Sequence, residues 1–256
     1  MFCQSQTRVA SFAYWRRLGA FTLIELLVVI SIIGILAGLV VGLAPIASNK
    51  LKESTVRVEL QQLVTLIEAY KVKFGVYPPD GISSTVDGVV SIPARNPLFY
   101  ELSGVYITNA TSPDGYFVSR ADGDGPNGVG TSELQTWFGR DGILNARTYQ
   151  QRNRLFISDF KESQYAEIFR NRTDPSYVDL ELLVVGFATD ASGKRGGGFA
   201  WPNNRNDHPI PSNRGLNPWR YVSTNPTNNA GSFDLWAELP VGRDQIKIIG
   251  NWKENN

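Results

Sequence analysis

The sequence predicts an α+β protein: one long N-terminal helix packed on a small antiparallel β-sheet with long loops. Three observations carry that expectation. Residues 21–43 form a nearly unbroken apolar run. Residues 44–75 carry one apolar stripe at helical spacing. Beyond Gly75, short β-branched and aromatic runs alternate with segments rich in Gly, Pro, Asn, Ser and Thr, the pattern of strands joined by turns. The chain of 256 residues is long enough for one such domain plus an anchor. Its net charge of +1 gives no electrostatic reason to expect a nucleic-acid partner. A single cysteine, Cys3, excludes an intrachain disulfide and a Cys-rich metal site.

The apolar run begins at Phe21-Thr22-Leu23-Ile24-Glu25-Leu26-Leu27 and ends near Leu43. As a helix it rises roughly 34 Å, enough to cross a bilayer core. Arg8, Arg16 and Arg17 precede it and no acidic residue comes before Glu25. The positive-inside bias therefore predicts a cytoplasmic N-terminus, with the remainder of the chain across the membrane. A secretory signal has a shorter apolar core with small residues after it. Here the small pair Gly19-Ala20 stands before the run.

Glu25 is the anomaly, because a carboxylate inside a spanning helix costs about 2–3 kcal/mol at the bilayer centre and less near its edge. Two readings are open: the side chain snorkels to the headgroup level, or a cationic partner neutralises it. Gly34, Gly38 and Gly42 recur every four residues and share one helix face. Small residues at that spacing let helices approach closely, although glycine is also simply common in membrane helices. Pro45 is expected to kink or weaken the helix locally.

Gly19-Ala20 followed by Phe21-Thr22-Leu23-Ile24-Glu25-Leu26-Leu27-Val28-Val29-Ile30 resembles the N-terminus of type IV pilins and type II secretion pseudopilins. The resemblance covers roughly the first 45 residues and implies a pilin-like fold. It further implies a leader of residues 1–20, cut by a prepilin peptidase between Ala20 and Phe21, with N-methylation of the new Phe21 amine. Glu25 then becomes the fifth residue of the mature chain. The family usually has Gly just before the cut; here Ala20 stands there, and a cut after Gly19 would make Glu25 the sixth residue. The resemblance implies other subunits of a filament as partners. On that reading, a neighbour's N-terminal amine pairs with Glu25 only in the correct stagger, so Glu25 sets assembly register. Removal of the leader with its three arginines takes the net charge to about −2.

The stalk stripe is Val56, Leu60, Leu63, Ile67, Tyr70 and Phe74, spaced four, three, four, three, four. It is expected to face the head, residues 76–256. Gly75 and Tyr77-Pro78-Pro79-Asp80-Gly81 end the helix. Short helices are expected near Asn96–Leu102 and Thr131–Trp137. Strands are expected at Leu155–Ser158, Leu180–Phe187, Trp219–Val222, Ser232–Ala237 and Ile246–Ile249. The third and fourth should pair as an antiparallel hairpin around the loop at 225–231. Asp179 and Glu181 are expected on the solvent side of their strand.

The helix followed by Gly-x-Tyr-Pro, then Asn217-Pro218-Trp219, Gly231-Ser232-Phe233-Asp234-Leu235-Trp236 and Ile249-Gly250-Asn251-Trp252, resembles the major pseudopilin. That family often binds calcium after the second of these C-terminal motifs. This chain has Ala237 and Val241 there with only Asp244 nearby, so the usual calcium site is expected to be absent or rebuilt. Asp122-Gly123-Asp124-Gly125-Pro126-Asn127 faintly matches a calcium loop but lacks the downstream Glu, and a solvated turn is preferred. No cofactor is expected.

No catalytic constellation emerges. His208 is the only histidine, Gly-x-Ser-x-Gly is missing, and Ser192–Gly198 lacks the phosphate-loop order. The six tryptophans are expected in core and turn packing before carbohydrate binding. The expectation is a non-enzymatic filament subunit, single-pass in the inner membrane with its head in the periplasm, or extracellular once in a pilus. The rival is a pilin-like anchor that never assembles and whose large head binds a surface ligand or polysaccharide.

Overall fold

Helix α1 (Leu23–Phe74) dominates the computed structural model, which describes residues 21–85, 88–107, 116–119, 129–168, 180–241 and 245–253. The chain divides into two compact units, one ending at Ser48 and one beginning at Asn49. Within the first, the helix runs through position 45 without a break.

Within the second unit, α1 presents the expected stripe. Val56, Leu60, Leu63, Ile67 and Tyr70 are all buried, and Phe74 packs against the same core half-buried. Each buried side chain contributes on the order of 2 kcal/mol. The helix ends where Gly75 takes φ +79°, a left-handed conformation that a Cβ would strain. Its N–H closes the last turn on the Lys71 carbonyl at 2.7 Å.

Among its described residues the head contains four small sheets where the sequence predicted one. Strands β1 (Ile82–Thr85) and β2 (Gly88–Ser91) form a hairpin. Strands β3 (Val105–Ile107), β4 (Tyr116–Ser119), β5 (Val129–Gly130) and β6 (Ala146–Arg147) form a second sheet in the order β5-β4-β3-β6, whose β3–β6 pair is parallel. Strands β7 (Tyr165–Ile168), β8 (Leu180–Gly186) and β9 (Asn217–Pro218) make the third. The fourth is β10 (Arg220–Val222), β11 (Asp234–Pro240) and β12 (Ile246–Gly250), antiparallel throughout. The expected C-terminal hairpin is the β10–β11 pair. Helices α2 (Leu98–Ser103) and α3 (Thr131–Phe138) stand where short helices were expected.

Two further expectations fail. Leu155–Ser158 is not a strand; it follows a 3-10 turn at Tyr149–Arg154. Side chains and isolated loop contacts take up its backbone groups instead. Phe156 donates its N–H to Asn145 Oδ1 at 2.9 Å, and Asn145 Nδ2 donates back to the Phe156 carbonyl at 2.7 Å. Lys73 Nζ donates to the Leu155 carbonyl at 2.5 Å, and Ser158 N–H to the Leu102 carbonyl at 3.0 Å. Glu181 is buried, not solvent-facing, because every residue of β8 is covered on both faces. Its N–H donates to the Tyr100 hydroxyl at 2.9 Å. Asp179 lies outside the described residues.

Two buried carboxylates tie the head together. Glu101 accepts from the Tyr70 hydroxyl at 2.7 Å and from the Leu144 and Asn145 amides at 2.8 and 2.9 Å. It thereby links α1, α2 and the loop before β6. Burial raises its pKa, opposed by those three donors. Asp80, in the Tyr-Pro-Pro-Asp-Gly turn, is fully buried and pairs with Arg140 at 2.7 Å. Its Oδ2 also accepts the Ser223 and Thr224 amides, each at 3.1 Å. Burial pushes the Asp80 pKa up, but hydrogen bonds from Thr224, Ser223 and Ser91 outweigh it and leave the carboxyl below its usual value.

Candidate processing and assembly site

The N-terminal helix begins at a local hydrogen-bond device that the sequence reading missed. Thr22 is the N-cap of α1, and Glu25 lies at the third helical position. Glu25 N–H donates to Thr22 Oγ1 at 3.3 Å, while Thr22 N–H donates to Glu25 Oε2 at 2.9 Å. Thr22 Oγ1–H also donates to Oε2, at 2.7 Å. This reciprocal pair is a capping box, which satisfies two backbone donors that the first helical turn leaves without intrahelical partners. The signal was present as Thr-x-x-Glu immediately before an apolar run. A negative charge here also opposes the positive end of the helix dipole.

Glu25 is exposed, as is Phe21. The apolar side chains from Leu23 to Leu39 are exposed as well, on every face of the helix. A helix apolar all round matches no water-facing surface, which wants a polar face; it matches lipid or the interior of an assembly. Gly34 and Gly38 lie in open space, with nothing within 4 Å of a Cβ built on either. The side chains of Val40 and of residues 42–46, including Gly42 and Pro45, lie outside the described residues, as do Gly19 and Ala20. Among the described residues, no helix is long and apolar enough to cross a membrane.

Within the head, Asp234 of the Gly-Ser-Phe-Asp-Leu-Trp motif is committed to structure. Its carboxylate accepts the amides of Thr227, Asn228 and Asn229 at 2.8 to 2.9 Å and so holds the β10–β11 loop. Among the described residues, no group of three or more His, Cys, Asp and Glu gathers as metal ligands. Asp122–Asn127 and Asp244 lie outside them. Both ring nitrogens of His208 are sequestered without a hydrogen-bond partner among the described residues.

An apolar helix opened by a capped acidic turn is joined in sequence to an α+β head. Residues 15–41 match the family model of the prokaryotic N-terminal methylation motif. This is the signal of type IV pilin-type prepilins, and it implies processing by a prepilin peptidase and pilin-type assembly. The match spans the expected cut before Phe21, Glu25 and the first two glycines of the Gly34-Gly38-Gly42 series. No curated protein and no solved structure matches the chain.

Proposed function

We propose that this chain is a structural, non-catalytic subunit of a pilus-type filament, either a type II secretion pseudopilus or a type IV pilus. A prepilin peptidase cuts between Ala20 and Phe21 and methylates the Phe21 amine. The helix from Phe21 to Leu43 sits in the inner membrane with its cytoplasmic end at Phe21, and the head occupies the periplasm. Upon assembly the apolar helices leave lipid and pack together. Glu25 meets a neighbour's cationic Phe21 amine, and Gly34, Gly38 and Gly42 allow close approach of the helices. The head's resemblance to the major pseudopilin favours the secretion system.

The observation that carries this reading is the methylation motif at residues 15–41, together with the helical segment Leu23–Leu39 inside it, whose apolar side chains are exposed all round. The test is the N-terminal sequence and intact mass of the protein extracted from its native membranes. N-methyl-Phe21 at the start supports processing. A chain still beginning at Met1 overturns it and favours an anchor that never assembles. Glu25→Leu then separates the two further: a filament subunit loses incorporation, whereas a simple anchor keeps its location and function.

A further inference from the structure

We infer that the outer face of the C-terminal sheet is a binding groove for a neutral glycan chain. Side chains alternate across a strand, so the two faces can be read from the register. Tyr221, Leu235, Ala237, Leu239 and Ile249 are buried and point into the core. The opposite face carries Val222, Trp236, Glu238, Ile246 and Ile248. These residues line a cavity of about 1110 Å³ together with Val89 and Val90 of the β1–β2 hairpin, the loop at 224–228, and Trp252. Val89 and Val90 are 62% and 54% exposed. The volume lies at the upper end of ordinary small-ligand pockets and leaves room for more than one sugar ring.

Three features define the ligand. The first is a rigid aromatic surface. Trp236 and Trp252 meet edge to face, with ring centroids 5.8 Å apart. Trp252 lies directly over Gly250, where a Cβ would come within 2.7 Å of three indole carbons. Glycine at that position lets the ring settle on the sheet, so its orientation is set before any ligand arrives.

The second is charge. Glu238 is held by Arg220 Nε at 2.9 Å and accepts Trp236 Nε1–H at 3.3 Å. Lys247 is bound to Glu53 at 2.7 Å. Asp234 is saturated by the loop amides. Each charged group lining the groove already has partners, a counter-ion for Glu238 and for Lys247 and amides for Asp234, so an ionic ligand gains little.

The third is unspent neutral polarity. The side chains of Asn225 and Thr227 are exposed and make no hydrogen bond among the described residues, and neither does Asn228 Oδ1. Indole faces beside free amide and hydroxyl groups suit a sugar ring, which offers an apolar C–H face and a rim of hydroxyls. An extended peptide adding to the sheet would instead use the backbone edge of β12. The groove is built on the sheet's face, from side chains of all three strands.

The test is titration of the full-length protein, in a detergent without a sugar headgroup, with maltohexaose, cellohexaose and chitohexaose. The readouts are tryptophan emission and calorimetry. The expected result is saturable binding of at least one hexaose with a change in emission. Trp252→Ala and Asn225→Ala each weaken it about tenfold or more, while Trp252→Phe keeps most of it. Asn225 is exposed, so its loss leaves the fold intact, which an unchanged thermal midpoint verifies. Three outcomes overturn the inference: no hexaose binds up to its solubility, binding is indifferent to both alanine variants, or an extended apolar peptide binds there in place of every hexaose. The inference is independent of the filament reading, since a failed titration leaves the N-terminal mass of the chain unaffected.

Discussion

Replacing Asp80 with alanine tests whether the Tyr-Pro-Pro-Asp-Gly turn is a keystone of the head or only a chain reversal. The carboxylate serves five donors: Arg140 Nη2 and Thr224 Oγ1 on one oxygen, and Ser91 Oγ with the Ser223 and Thr224 amides on the other. Asp80→Ala strands the two amides and breaks the ion pair, leaving the Arg140 guanidinium its Nε–H bond to the residue 80 carbonyl at 2.8 Å, while the two hydroxyls can rotate toward other partners. Each stranded amide costs about 1 kcal/mol, the low end of the range because Ser223 and Thr224 are not fully buried. Losing the ion pair adds about 1–2 kcal/mol, since the Arg140 side chain is 28% exposed and partly screened. The sum is about 3–4 kcal/mol, equivalent to a thermal midpoint lower by about 10 °C for a unit of this size. Asp80→Asn keeps one acceptor and should lose about half as much. The assay is thermal unfolding of the full-length protein in detergent, followed by tryptophan fluorescence. Because the folded carboxyl titrates below its ordinary value, its contribution is complete above about pH 4 and is lost as pH falls through the depressed folded value. A loss under about 1 kcal/mol for Asp80→Ala at neutral pH refutes the keystone reading.

Three further outcomes follow from the same geometry. Thr22→Val removes the cap oxygen, and the Glu25 amide should then exchange its hydrogen about tenfold faster in micelles, the equivalent of a lost N-cap; an unchanged rate means the capping box does not form in the protein. Glu101→Gln should destabilise the head by about 1–3 kcal/mol, because an amide NH2 accepts nothing, whereas both carboxyl oxygens can accept, protonated or not. The pH dependence runs opposite to that of Asp80: the wild-type advantage is full below about pH 4 and shrinks as pH rises through the raised folded value, which parallel unfolding curves will reveal. Glu25→Gln keeps an acceptor for Thr22 but removes the charge, so filament incorporation should fall nearly as far as in Glu25→Leu if pairing with an amine sets the register.

The parts of the fold legible in the sequence were those governed by local period. The stripe from Val56 to Tyr70 repeats at helical spacing over four turns, and burial follows it residue by residue. Strand β8 was readable as a continuous apolar run. Its Glu181 was misplaced because alternation was assumed where both faces are covered, as the run itself implied. Leu155–Ser158 failed for another reason. Its β-prone composition is real, but Asn145, ten residues earlier than Leu155, supplies the hydrogen bonds a neighbouring strand would have given. No local pattern announces such a substitution of side chain for strand. The same holds for Asp80 and Glu101, whose donors arrive from as far as residue 224 and from residue 70. The methylation motif at residues 15–41 was legible because it is contiguous along the chain. The groove was not, because Val89, Asn225 and Trp252 meet only through the sheet.

The capping box changes how Glu25 should be understood. A buried carboxylate used only for register would have to be costly when alone, since that cost makes the wrong stagger unfavourable. Here Thr22 already supplies two donors to Oε2, so part of the desolvation is offset within the subunit. Oε1 makes no hydrogen bond among the described residues, leaving one lobe of the carboxylate for an incoming amine. Cleavage before Phe21 would leave both members of the box in the mature chain and place the new amine one residue before the cap. The same Glu25 can then hold the first helical turn in the unassembled subunit and receive a neighbour's charge in the filament, without breaking one contact to make the other. On the proposed filament reading, that division of the two oxygens would let a glutamate serve better here than a residue that only caps or only carries charge. It also means that losses from Thr22→Val and Glu25→Leu should not add, because the second substitution already removes the contact that the first one breaks.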